Sequence, residues 1–236
     1  MTRKYLLIFP LILIIILLAT SRLSGQQTAD KYIDGMIKKM DKIKDYAVDA
    51  RIVVDMPFIK ILPVNAQYFY KQKNKFKVKS KNLALLPKQT YWQNLSFLEK
   101  KNTYTSVISG TEKLAGFPEL SIISVIPSQD TGDLILVKFW LDPVENLLYK
   151  SQLTTRTNGT ILTEYYYSVK NSWGLPDKLV FTVDVKKFKI PKGIATDLNK
   201  SKTTENKNQA SKRSGKIEVS LRNYKVNQGL NDEIFK

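Results

Sequence analysis

The sequence contains no cysteine and no histidine, and each absence removes a block of chemistry. Without cysteine no disulfide can staple the fold, and the lipoprotein route, which acylates a Cys just behind an export signal, is closed. Without histidine the commonest general base, the Ser-His and Cys-His nucleophile pairs and the usual zinc ligands disappear together. There is also no glycine-rich phosphate loop, no GxSxG and no HExxH. Acidic residues are scarce, 21 against 38 Lys and Arg, for a net charge of +17. Carboxylate pairs such as Asp49 with Asp55 exist, but nothing in the spacing sets two of them ~5 to 9 Å apart across a cleft, as glycoside hydrolysis requires. The expectation is a protein that is not an enzyme and uses no cofactor or metal.

What is present begins with an export signal. Met1-Thr2-Arg3-Lys4 is followed by an uncharged run from Tyr5 to Ala19 and then by small and polar residues, the order of a secretory signal peptide. An apolar run of ~15 residues is short of the ~20 that span a bilayer, so cleavage is expected over permanent anchoring. Ala19 and Ser21 suit the cleavage site, which gives a signal over 1–21, and Gly25 offers a later exit. Residues 26–236 are then expected to form one domain, since all-β chains of ~200 residues commonly do. Without Arg3 and Lys4 the remainder still carries about +15. Such an excess implies a polyanion, outside the cytosol an anionic membrane surface or lipid head groups. A merely solvated, lysine-rich surface is the alternative. Aromatic residues beside lysine, as at Tyr165 to Tyr167 and Lys170, suit single-stranded nucleic acid, but an exported chain does not meet it.

The stretch from Asp133 to Lys170 reads as three antiparallel strands. Asp142-Pro143 starts a type I turn, with Pro presetting φ at the second position. Asn158-Gly159 suits a two-residue type I′ hairpin. With that turn, Leu153 and Tyr149 share a face with Leu162, Glu164 and Tyr166, and Lys150 and Arg156 share the other with Ile161, Tyr165 and Tyr167. Upstream, Ile33, Met36, Ile37, Met40 and Ile43 recur at spacings of three and four, one apolar stripe of a helix. Ala47 to Met56 alternates as a strand, with Val48, Ala50, Ile52 and Val54 on one face. Pro57 and Pro63 bracket the apolar connection Phe58 to Leu62. Asn65–Gln72 and Lys75–Lys81 form a hairpin about Lys73-Asn74. Its second arm alternates Phe76 and Val78 with Lys75, Lys77 and Lys79, and Tyr68 and Tyr70 are expected to face those lysines. That basic patch is a candidate membrane-facing or partner-facing surface, a solvated strand face the plainer reading. Glu119 to Ile126 fits a short helix or a strand. Leu179–Phe188 and Lys216–Val226 read as strands, and the segment at about 199–215, lacking any large apolar residue, reads as a disordered basic insertion.

The order of these parts, with Trp140-Leu141-Asp142-Pro143, Leu148-Tyr149-Lys150, the Asn-Gly hairpin, Asn223-Tyr224-Lys225-Val226-Asn227 and Ile234-Phe235, resembles the superfamily of the periplasmic lipoprotein carrier LolA and its outer-membrane partner LolB. The resemblance implies an α+β, mainly antiparallel, unclosed β-barrel, with an amphipathic N-terminal helix and a short helical lid enclosing a hydrophobic cavity. It implies a periplasmic carrier that binds acyl chains of lipoproteins or other lipids and moves them toward the outer membrane. An inner-membrane release complex and an outer-membrane acceptor would be its partners, and the chain would act as a monomer. Strand alternation and side-chain size nominate Ile52, Val54, Phe69, Phe76, Val78, Trp92, Phe97 and Trp140 as cavity lining. The carrier's latch arginine has no counterpart, since Gln72 and Lys73 stand at the matching positions. A sensor or scaffold of the same fold, binding a protein partner in the envelope and no lipid, is the second reading.

Overall fold

The structure is a computed structural model, which describes residues 29–57, 59–60, 62–73, 75–80, 97–114, 116–128, 133–157, 159–168, 173–184 and 214–236. The signal segment, Trp92 and residues 199–213 of the basic insertion lie outside them.

The apolar stripe forms helix α1 over residues 29–40. Ala29, Ile33 and Met36 are buried, with Tyr32, Ile37 and Met40 packed partly against the same cluster. The polar side of α1 is tied down by Ser106 donating to Asp30, by Lys101 on Asp34 at 2.7 Å and by Lys39 donating to the Glu145 carbonyl at 2.6 Å. Among the described residues eleven strands follow: β1 (Asp45–Met56), β2 (Ile59–Lys60), β3 (Val64–Lys71), β4 (Lys75–Ser80), β5 (Tyr104–Lys113), β6 (Glu119–Pro127), β7 (Leu134–Leu141), β8 (Leu148–Thr155), β9 (Gly159–Tyr166), β10 (Lys178–Asp184) and β11 (Ser214–Val226). Glu119 to Ile126 is therefore a strand, and Ser214 and Gly215, expected to lie in the insertion, open β11 by pairing with Asp184 and Val183.

Among the described residues all pairs are antiparallel and the order is β4-β3-β1-β11-β10-β9-β8-β7-β6-β5, with β2 off this path and paired to the end of β1. The last strand thus inserts beside the first, and β4 and β5 are left as edges of an unclosed barrel. Besides α1, helical turns among the described residues are the 3-10 segments at 97–99, Lys101–Thr103 and Asp232–Phe235.

Two hairpin loops are one residue longer than expected. Thr155 pairs with Gly159, so the β8–β9 connection has three residues, and Gly159 takes φ 70° as its left-handed closing residue. Side chains alternate with period two, so this single residue exchanges the faces. Leu153 pairs with Ile161 and shares its face with Thr163 and Tyr165, whereas Lys150 pairs with Glu164 on the face of Leu162 and Tyr166. The β3–β4 hairpin does the same: Lys71 pairs with Lys75, Tyr70 with Phe76 and Tyr68 with Val78, while Phe69 faces Lys77. The lysines face Phe69, and not Tyr68 and Tyr70.

The Asp142-Pro143 turn forms as read, with Asp142 Oδ1 accepting from the amides of Val144 at 2.7 Å and Glu145 at 2.9 Å. In β11 a bulge at Asn223, φ 57°, lets both Leu221 and Tyr224 point to the inner face, the one that carries α1.

Candidate functional site

The register carries one inner face across the sheet, from Leu153 to Ile161, from Thr163 to Phe181, from Leu179 to Val219 and from Val219 to Ile52. On β5 to β9 this face is filled by α1, whose Ile33 and Met36 pack among Ile123, Val125, Val137 and Phe139. On β4, β3, β1, β11 and β10 it carries a second cluster. Val48, Ala50, Ile52, Ala66, Val219 and Leu221 are buried there, and Val54, Tyr68, Val78 and Phe181 are partly buried against them.

Aromatic rings line the end of that second half. Tyr46 stacks on Tyr70 with centroids 5.2 Å apart and meets Tyr224 edge-on at 5.8 Å, and Tyr68 lies 5.6 Å from Phe76. Burial pushes the Tyr68 phenol up to about 12 and raises Tyr46 and Tyr224 further. These hydroxyls stay neutral at physiological pH, and the wall they form has no net charge. Tyr224 satisfies its own by donating to the Pro176 carbonyl at 2.8 Å. Such a wall suits an apolar ligand with few polar groups.

Of the nominated lining, Ile52, Val54, Phe76 and Val78 come together on this face. Phe97 sits with the α1 cluster, its ring 6.0 Å from Tyr104. Phe69 and Trp140 do not belong to the group. Phe69 is on the outer face, under Lys79 Nζ at 5.2 Å. Trp140, between inward-facing Phe139 and Leu141, also points outward, where Lys150 Nζ lies 4.4 Å from its ring and its indole N–H donates to Glu112. Size and apolarity nominated both, but the parity of their strands sets them outside. Tyr46, Tyr68, Tyr70 and Tyr224 were missed, and the length of the β3–β4 loop was the signal that would have found two of them.

The basic patch is partly occupied by the chain itself. Asp232 accepts from Lys71 and Lys75, both at 2.7 Å, and Lys77 donates to the carbonyl of Lys236 at 2.6 Å. Gln72, at the latch position, donates instead to the Asp41 carbonyl at 2.8 Å and its amide bonds Lys44. It pins the hairpin to the approach to β1. On the outer face of β4, β3, β1 and β11 lies an open groove of about 850 Å³ with Asp49, Arg51, Gln67, Lys79, Arg222 and Asn223 in its lining.

An antiparallel barrel left open between its edge strands, with an N-terminal helix laid on the inner face, is the LolA-like fold. The same architecture occurs in a DUF1329 family protein from Desulfovibrio piger, with a TM-score of 0.58 and 9% identity over 90% of this chain and 97% of that one. A LolA superfamily protein from Nitrosomonas europaea gives 0.53 and 11% identity over 86% of this chain and 96% of that one. No protein-family model matches the sequence, and no curated protein matches it.

Proposed function

We propose that the protein is an exported periplasmic carrier that holds acyl chains of lipoproteins or other lipids against the second half of the inner face and moves them toward the outer membrane. The observation that carries this reading is the division of that face. The buried stripe of α1 belongs to the β5–β9 cluster, and the aliphatic and aromatic wall of β4, β3, β1, β11 and β10 forms a second one that meets the first at Leu179. An acyl chain laid along Phe76, Val78, Ile52 and the tyrosines would be shielded from water at ~25 cal/mol per Å² of apolar surface. The LolA-like fold and the resemblance of the sequence to that superfamily support the same reading.

Native mass spectrometry with lipid extraction, on the chain from Gln26 expressed with an export signal, tests it. Acylated species should co-purify with the parent protein and disappear in Phe76→Glu, and Tyr68→Ala should weaken uptake of a fluorescent fatty acid while circular dichroism stays unchanged. A protein that arrives bare and takes up no such probe at micromolar concentration overturns the proposal and leaves a protein partner as the ligand.

A further inference from the structure

The outer groove is set by register. Asp49 stands between Gln67 of β3 and Arg222 of β11, and Arg51 stands between Asn65 and Ser220. Asp49 and Arg222 are direct cross-strand partners, and an ion pair between them would cancel both charges. That pair does not form. Oδ1 of Asp49 accepts from Gln67 at 2.9 Å and Oδ2 from Asn223 at 3.0 Å. These two amides, with Lys225 adding to them, hold the carboxyl below its ordinary range. Arg51 and Arg222 are both exposed, and among the described residues neither guanidinium makes a hydrogen bond or an ion pair. They are diagonal neighbours on adjacent strands, roughly 7–8 Å apart, close enough for two guanidinium forks to share one oxyanion.

An aliphatic side chain adjoins Arg51. Val53 shares the outward face of β1 with Arg51 and is 38% exposed. Exposed guanidiniums beside an exposed aliphatic side chain form the composition of a lipid-surface contact. The lysine ladder is less suited to the task, because Lys75 and Lys77 are already engaged by the C-terminal segment.

We propose that this groove docks the protein on an anionic lipid surface, with Arg51 and Arg222 taking a headgroup phosphate and Val53 meeting the acyl boundary. The proposal goes beyond acyl binding and does not depend on it.

Flotation of the chain from Gln26 with vesicles tests it, using phosphatidylcholine alone or with about a third phosphatidylglycerol. The protein should partition to the anionic vesicles, release as salt rises, and ignore the neutral ones. R51Q/R222Q should lower the partition about thirtyfold, whereas K75Q/K77Q should change it little. Both variants should keep the parent circular dichroism and the parent uptake of a fluorescent fatty acid, so loss of docking is read separately from loss of the carrier site. Unchanged partition of R51Q/R222Q, equal losses in the two variants, or equal affinity for neutral vesicles overturns the proposal. Release by inorganic phosphate at fixed ionic strength would indicate a free-phosphate site and overturn it too.

Discussion

Asp45 is 4% exposed, yet it carries a carboxylate. Burying one without partners is expensive, and here the partners are backbone amides: Gln228 donates to Oδ1 at 2.9 Å and Gly229 to Oδ2 at 3.0 Å. Asn227 completes the joint, its side chain accepting from the Lys44 amide at 2.7 Å and donating to the Lys42 carbonyl at 3.0 Å. Asp45→Ala orphans two amides and should cost about 1–3 kcal/mol in urea unfolding. Asp45→Asn, which keeps one acceptor, should cost less. Asp142 makes a comparable pair of bonds, but to amides two and three residues away, and it was legible in the sequence for that reason. The partners of Asp45 lie 183 and 184 residues along the chain, and no local pattern marks it.

Elements show a different limit. The composition of β1, β8, β9 and β11 marks them as strands, and the stripe of α1 marks its buried side. Which residues of a hairpin face inward depends on loop length to the single residue, and Asn158-Gly159 and Lys73-Asn74 suggest two-residue turns where three residues are used. The shift moved Tyr68 and Tyr70 to the inner face and Phe69 to the lysine side. Stability measurements report the β8–β9 register directly. Ile161, 6% exposed beside Leu153, should lose about 2–5 kcal/mol on truncation to Ala. Leu162, half-buried on the outer face, should lose clearly less, and equal losses in chemical denaturation would contradict the observed pairing.

For the whole molecule, the excess of basic residues was legible at once, whereas the cations left without a partner were not. The insertion of β11 beside β1 brings Arg222 next to Arg51 from 171 positions away, and the same insertion lets the last ten residues reach β4. Periodicity cannot give that neighbour order. The resemblance to a known superfamily implied an unclosed barrel, and the structure supplies the order. Asp232 anchors the tail, with its carboxyl lowered to about 2 by hydrogen bonds from Lys71 and then Lys75. A free carboxylate titrates near ~3.9, so the contribution of this joint is present in full above about pH 4 and is lost as pH falls through about 2. Amide resonances of Leu230 to Lys236 should therefore move between about pH 4 and 2, and D232N should show the released positions already at pH 7. Resonances unchanged to pH 2 would contradict the ion pairs.

The chain enters the sheet at Asp45 and completes its last strand at Val226, and those two ends lie side by side, Tyr46 opposite Val226 with Asn227 bonded to Asp45. This adjacency fixes how the molecule meets mechanical load. Tension applied between Asp45 and Asn227 would bear on the carboxylate joint first and then on Tyr46 and Val226, opening β1 from β11 one pair at a time instead of shearing all the pairs together. Drawn apart at these points, the barrel should yield at low force, like a zip opened from its tab.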